Sequence, residues 1–175
     1  VTAPVNKSSI KKTYENFIGH TEYLEENFNG KAVMMMVSEY MKIAFVTSHV
    51  QLSKVPSLLS ERIIIEKLKS INKTLIQDFG VRKPKIAVIG LNPHAGENGA
   101  MGNEEEKIII PEIQKSKEFD NILAFGPYPA DSFFVPNKLS KFDVILSMYH
   151  DQGLTPFKTL SFFDGVNYTS GLEII

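Results

Sequence analysis

Two short apolar runs, KIAVIG at 85–90 and DVILSMY at 143–149, are each followed at once by a polar segment that contains glycine. Compact runs of this kind are typical of strands that are buried between two layers. In α/β proteins, ligands usually bind in the loops at the carboxyl ends of such strands. The two runs therefore predict candidate ligand loops at LNPHAGENGAMG (91–102) and HDQG (150–153).

Helical and strand patterns alternate along the chain, which predicts a layered α/β architecture. KAVMMMV (31–37) and KIAFVTS (42–48) predict two neighbouring strands, with the three methionines as core residues. Two short helices are predicted, one from Ser8 and one over GHTEYLEENF (19–28). A longer helix is predicted from about 60 to 79, because apolar residues recur there every three or four positions: Ile64, Leu68, Ile71, Leu75 and Phe79.

A further helix is predicted to begin at Asn103 and to bend or divide at Pro111. Three glutamates, 104–106, lie in its first turn, where they complement the helix dipole. GPYPADSFF (126–134) predicts turns, and GVNYTSGLEII (165–175) resembles an element cut from its continuation. The chain also begins without methionine, so we expect it to be a central piece of a longer protein.

Composition narrows the class of partner. The 19 basic and 20 acidic residues are scattered, which argues against a nucleic-acid or membrane partner and favours a small molecule. The chain has no cysteine, so disulfides and cysteine-containing zinc sites are excluded. No apolar run approaches the ~20 residues of a membrane-spanning helix, and a cytoplasmic location is expected.

Three of the four histidines lie beside glycines and carboxyl-bearing residues: His20 in GHTE, His94 in NPHAGE and His150 in YHDQG. Neutral imidazole is a common ligand of transition metals, and a bound ion could polarise a substrate hydroxyl or carbonyl. Alternatively, each histidine forms only a hydrogen bond within its loop. The three are too far apart for a local motif such as HExxH, so their spacing alone leaves both interpretations open.

Other polar residues are candidates for the same site. Asp151 could act as an acid or base, or could orient a histidine. Lys158 in PFKTLSF could hold a phosphate or protonate an intermediate, or it could be a solvated lysine at a strand edge. For Asn167, a role in the site and a purely structural role are likewise both open. GENGAMG lacks the spacing of the dinucleotide fingerprint GxGxxG, so no cofactor-binding residue is assigned. Supporting or merely capping roles remain open for three carboxylates: Glu22, Glu97 and Asp131.

Seven motifs occur in order along the chain: TAPVNK, GHTEYL, VMMM, LNPHAGENGAMGNEEEKIIIPEI, GPYPADSFF, MYHDQGLTPFK and GVNYTSGL. Together they resemble the 4-hydroxythreonine-4-phosphate dehydrogenase family of pyridoxal phosphate biosynthesis. The resemblance implies that His20, His94 and His150 bind a divalent metal such as zinc, magnesium or cobalt. It also implies that Lys158 and Asn167 bind substrate. His49, in VTSHVQL, matches no ligand motif of the family and is predicted not to bind the metal.

The resemblance further implies an isocitrate/isopropylmalate dehydrogenase-like α/β fold and a homodimer whose active sites are shared between the subunits. The implied reaction is oxidation of 4-phosphooxy-threonine, a small phosphorylated hydroxy-amino acid, by NAD or NADP, followed by decarboxylation. Residues 1–158 are expected to form the central metal-binding and dimerisation domain, and 159–175 the start of the return into another domain. Because flanking parts of the family are missing, we expect the chain alone to be inactive.

Two alternatives remain at this point. One is a sister dehydrogenase that acts on 4-phospho-threonate or 4-phospho-erythronate with the same chemistry. The other, of a different class, is a non-catalytic metal-binding and dimerisation module.

Overall fold

The computed structural model describes residues 6–10, 13–14 and 20–173, and within them six strands form one sheet. The strands are β1 (Gly30–Val37), β2 (Lys42–Phe45), β3 (Lys85–Ile89), β4 (Leu123–Tyr128), β5 (Val144–Ser147) and β6 (Val166–Leu172). Their order across the sheet is β4-β3-β5-β2-β1-β6. The first four strands in this order run parallel, and β1 is antiparallel to both of its neighbours. The α/β prediction, the neighbouring strands β1 and β2, and the two buried strands β3 and β5 are confirmed.

Helices connect the strands. Their bounds are α1 (Lys7–Ile10), α2 (His20–Asn27), α3 (Val55–Leu58), α4 (Glu61–Gln77), α5 (Ile110–Asp120), α6 (Ala130–Phe133), α7 (Pro136–Leu139) and α8 (His150–Ser161). A short 3-10 turn occupies Leu52–Lys54, Pro93–Gly96 forms a turn with left-handed backbone, and a π-helix occupies Glu105–Ile109 directly before α5. The predicted long helix is α4, and the predicted division at Pro111 occurs where the π-helix gives way to α5. Among the described residues, no helix combines the length and apolar character needed to cross a membrane.

Helices cover both faces of the sheet. Alternate residues of each strand point to opposite faces, so each strand contributes to both layers of the core. On one face, α4 contributes four fully buried residues at the predicted helical spacing, and on the other face α8 contributes Phe157. The methionines of β1 follow the same alternation: Met35 packs with the α4 side, and Met34 and Met36 pack with the α8 side. Burial on both faces explains why the strands β3 and β5 consist almost entirely of apolar residues.

Three expectations for the second half of the chain were wrong. HDQG is not a loop, because α8 begins at His150, so β5 passes almost directly into a helix. Lys158 consequently lies on a helix and not at a strand edge. GPY (126–128) belongs to β4 and pairs with β3, although the segment predicted turns. The cis peptide bond between Gly126 and Pro127 lies inside this strand.

The C-terminal segment adds an edge strand to the same sheet. β6 pairs with β1 from Gly30↔Leu172 to Val37↔Val166. Helix α8 runs through residue 158 without interruption and ends at Ser161. The division of the chain at residue 158 remains a prediction.

Candidate functional site

The carboxyl ends of the parallel strands meet at one edge of the sheet, and three histidines follow them. His49 lies beyond β2, His94 beyond β3 and His150 beyond β5. Since β5 lies between β2 and β3, His150 is flanked by the segments that carry the other two. The ring centroids of His49 and His150 are 5.5 Å apart. This closeness of His49 could not be predicted, because it depends on β2 being the neighbour of β5.

His150 is the first residue of α8, and its side chain has two defined neighbours. Its ring stacks on Phe45, with 5.7 Å between centroids and 28° between planes. Its Nδ1 lies 2.7 Å from Oδ1 of Asp151, whose side chain is 82% exposed. A carboxylate can only accept, so Nδ1 carries the proton and the lone pair of a neutral ring is left on Nε2. Metal-binding histidines are commonly oriented by a carboxylate in this way.

Gly153 lets α8 approach the sheet closely. A Cβ at this position would lie 2.5 Å from Oγ of Ser147 and 2.6 Å from Cδ1 of Ile43. A larger residue would therefore force these packed side chains or the helix itself to shift. Gly153 thus helps to position His150, because it allows α8 to pack closely on the sheet and not because it forms a loop.

Gln152 links the ends of β3 and β5 by two hydrogen bonds. Its Nε2 donates to the carbonyl oxygen of Gly90 at 2.6 Å, and its Oε1 accepts from the amide of Met148 at 2.8 Å. Gly90 immediately precedes the loop that carries His94, and Met148 lies two residues before His150. One side chain therefore fixes the spacing between the two segments. Sequence reasoning missed this residue, although its place beside His150 in HDQG offered a signal.

The segment that carries His94 has an unusual backbone. Every residue from His94 to Gly99 has positive φ, between 44° and 86°. Four of these six residues are not glycine, and left-handed backbone costs such residues roughly 1–2 kcal/mol each. His94 itself is exposed. The predicted loop after β3 is present, but its left-handed backbone is maintained against conformational strain.

A buried carboxylate lies under this segment. Glu105 is 1% exposed, and it accepts from the backbone amide of Asn92 at 2.8 Å and from Nδ2 of Asn92 at 2.9 Å. Glu104 accepts from the same Nδ2 at 2.8 Å, and this hydrogen bond is the main cause of a lowered pKa of the Glu104 carboxyl. The interpretation of residues 104–106 as equivalent charges at a helix end was therefore incomplete, because Glu105 binds the loop.

Within one chain, Lys158 and Asn167 do not contact His94 or His150. Lys158 is exposed on α8, with Nζ 5.9 Å from the centroid of Phe162. Eight residues of helix place its Cα about 12 Å along the axis from that of His150. Asn167 is exposed on β6, opposite Met36 of β1. In the part of the chain that the structure describes, no hydrogen bond joins either residue to His94 or His150.

An open groove of about 500 Å³ lies beside the His150 segment, between α6 and α8. Asp131 and Asp151 line it together with Tyr149 and Gln152, and Phe134 and Leu160 supply apolar surface. Asp131 was considered as a supporting carboxylate, and it shares this groove with Asp151. Glu97 lies in the left-handed segment and is exposed.

The donor set fits a divalent metal in its chemistry. His94 and His150 are accessible imidazoles on neighbouring segments, and the pairing of His150 with Asp151 leaves Nε2 free to bind an ion. The side chains of His20 and Glu22 lie outside the described residues. Within those residues, the structure contains no group of three His, Cys, Asp or Glu side chains that could hold an ion.

A family model described as pyridoxal phosphate biosynthetic protein PdxA matches residues 1–175. The chain belongs to this family. A 4-hydroxythreonine-4-phosphate dehydrogenase from Bacteroides thetaiotaomicron is 46% identical over 177 residues, which cover 100% of this chain and 48% of the relative. One from Desulfosudis oleivorans is 43% identical and is covered to 52%. The chain therefore spans about half the length of these relatives.

The fold agrees with that of a solved relative. The 4-hydroxythreonine-4-phosphate dehydrogenase of Klebsiella pneumoniae superposes with a TM-score of 0.87 and 35% identity, covering 99% of this chain and 52% of that structure. The expected isocitrate/isopropylmalate dehydrogenase-like fold is confirmed.

Proposed function

We propose that this chain is the metal-binding and dimerisation part of a cytoplasmic, NAD- or NADP-dependent dehydrogenase that oxidises 4-phosphooxy-threonine in pyridoxal phosphate biosynthesis. The observation that carries the proposal is the His150–Asp151 pair at the carboxyl edge of the sheet, in a chain that belongs to the PdxA family. Its geometry suits a metal-binding histidine, and its position is where α/β proteins bind ligands.

In this proposal His94 and His150 hold a divalent ion together with His20, which the partner subunit of a homodimer supplies. Zinc, magnesium or cobalt would polarise the substrate hydroxyl and, after oxidation, the new carbonyl. Asp151 accepts from Nδ1 of His150, which would leave the lone pair of Nε2 available to such an ion. A bound NAD or NADP would supply the hydride acceptor for this oxidation, and decarboxylation of the oxidised product would follow. A direct acid–base role of Asp151 is a further part of the proposal.

Lys158 and Asn167 are proposed to bind the substrate's anionic and polar groups. Both are exposed, and in the described part of the chain Lys158 forms no ion pair that would compete with a phosphate. Their separation from His150 within one chain is consistent with active sites that are shared between two subunits. The phosphate contact is charge-assisted, so it is expected to contribute strongly to substrate binding.

The decisive experiment measures metal content and turnover separately. The purified parent chain and its His94→Gln, His150→Gln and His49→Gln variants are each dialysed extensively and reloaded with zinc or cobalt. The metal content of each protein is then measured. We expect the first two variants to lose metal, because each removes a ligand, and His49→Gln to retain it. His49 is the matched control, since its ring neighbours that of His150. Retained metal in His150→Gln, or lost metal in His49→Gln, would contradict the ligand assignment.

Turnover is followed by absorbance of the reduced cofactor with 4-phosphooxy-threonine, 4-phospho-threonate and 4-phospho-erythronate. The full-length Bacteroides thetaiotaomicron relative serves as the positive control. We expect the chain to bind metal without turnover, because hydride transfer requires both reactants to be positioned by parts that this chain lacks. Turnover comparable to the control would refute this expectation. The two alternatives are distinguished with a longer protein that contains this chain: preference for either hydroxy acid would favour the sister dehydrogenase, and absence of turnover would favour the non-catalytic module.

A further inference from the structure

We propose that Glu105 is a positioning residue for His94: its buried carboxylate holds the left-handed segment 94–99 in the conformation that presents the imidazole. This inference rests on the proposed metal-binding function, but its structural part can be tested independently. It assigns different roles to three consecutive glutamates that the sequence presents as equivalent.

The contacts of Glu105 are directed at the start of the segment. Oε1 accepts from the backbone amide of Asn92, and Oε2 accepts from the Asn92 side chain, at 2.8 and 2.9 Å. Asn92 lies two residues before His94. The carboxylate therefore fixes both the main chain and the side chain at the point where the backbone enters the left-handed region.

The backbone at two glycines approaches the Glu105 carboxylate closely. A Cβ on Gly96 would lie 2.7 Å from Oε2, and a Cβ on Gly90 would lie 3.0 Å from Oε1. Glycine at these two positions allows the chain to close around the two oxygens. Gly90 precedes the segment and Gly96 is inside it, so the Glu105 carboxylate lies close to the backbone both before and within the segment.

The segment needs such contacts because its own backbone conformation is unfavourable. Four residues that are not glycine hold positive φ values, and this conformation persists only where surrounding contacts determine it. The polar groups of a buried carboxylate also require donors, and Asn92 supplies two of them. The strained segment and the buried acid therefore stabilise each other.

Glu104 and Glu106 provide matched controls within the same turn. Glu104 is half-buried and accepts from the Asn92 side chain but not from the Asn92 backbone amide, and Glu106 is exposed. Each can be changed to glutamine with the same loss of one charge. A general effect of charge at the helix end would appear in all three variants, whereas positioning of His94 would appear in Glu105→Gln alone.

The experiment compares Glu104→Gln, Glu105→Gln and Glu106→Gln with the parent by three measurements. Cobalt affinity is measured by competition with a chromophoric chelator, the ligand-field absorption of bound cobalt reports its coordination, and amide hydrogen exchange reports order at 92–100. We expect Glu105→Gln to weaken cobalt binding by about 10- to 100-fold, as loss of a residue that orients a ligand typically does. Its absorption should change and exchange at 93–99 should accelerate, while the two controls match the parent.

Gly96→Ala keeps all three glutamates, and its Cβ both displaces the Glu105 carboxylate and strains the backbone at φ 84°, so it perturbs the segment by a second route if Glu105→Gln fails to fold. It should reproduce the weaker binding and the faster exchange. Parental exchange and affinity in the folded Glu105→Gln or Gly96→Ala protein, or equal losses in all three glutamine variants, would overturn the proposal. If the parent binds no cobalt, the metal-binding function fails, and parental exchange in Glu105→Gln would refute the anchoring role separately.

Discussion

Gln152 offers a quantitative test of how the carboxyl edge of the sheet is held together. The perturbation is Gln152→Ala, which removes both hydrogen bonds of the side chain, to Gly90 and to Met148. Each bond contributes about 0.5–1.5 kcal/mol net, and a buried group left without a partner costs about 1–3 kcal/mol. Met148 is 0% exposed and Gly90 is buried, so water can replace the lost partners only poorly. We expect a total loss of about 2–4 kcal/mol in the free energy of unfolding.

Urea unfolding followed by circular dichroism measures this loss, and a thermal melt should fall by about 5–15 °C for a chain of this size. Thr155→Ala is the control, because Thr155 is exposed one turn further along α8 and its replacement should cost no more than about 0.5 kcal/mol. Gln152→Glu keeps the size of the side chain but points an oxygen at the Gly90 carbonyl. It should therefore also be destabilised. If Gln152→Ala and Thr155→Ala unfold at the same urea concentration, Gln152 does not hold the two strands together.

The remaining predictions concern the pKa of a tyrosine and the core. Burial, followed by the hydrogen bond to Asp78, raises the pKa of Tyr168 to about 12, so its stabilising contribution is present below pH 10 and is lost as pH rises toward 12. In urea unfolding from pH 8 to 11.5, the stability difference between the parent and Tyr168→Phe should therefore shrink with pH, and a constant difference would contradict the assignment. Exposed Tyr40→Phe is the control. Leu68→Ala, at a fully buried position of α4, should cost about 2–5 kcal/mol by the same assay, and Ile76→Ala, 44% exposed on the same helix, roughly 1 kcal/mol or less. Equal losses in these two variants would refute the assigned burial.

The fold was predictable where local periodicity and burial agree. The spacing of Ile64, Leu68, Ile71 and Leu75 predicts one buried helix face, and all four residues are fully buried. KIAVIG and DVILSMY are apolar because both faces of the sheet are covered, so they were recognisable as strands without any knowledge of the topology. The motifs around His20, His94 and His150 also indicated the family, which the match over residues 1–175 confirms.

Other features depend on contacts between residues far apart in sequence, and only the tertiary structure decided them. HDQG reads locally as a turn, yet Gly153 serves helix packing against Ser147 and Ile43. GPY reads as a turn, yet pairing with β3 draws it into a strand. Glu105 cannot be distinguished from its neighbours by composition, because its role depends on which side of the helix faces Asn92. Local sequence thus determined most of the elements and the candidate ligands, whereas burial and strand order determined the remaining elements and the residues that support the site.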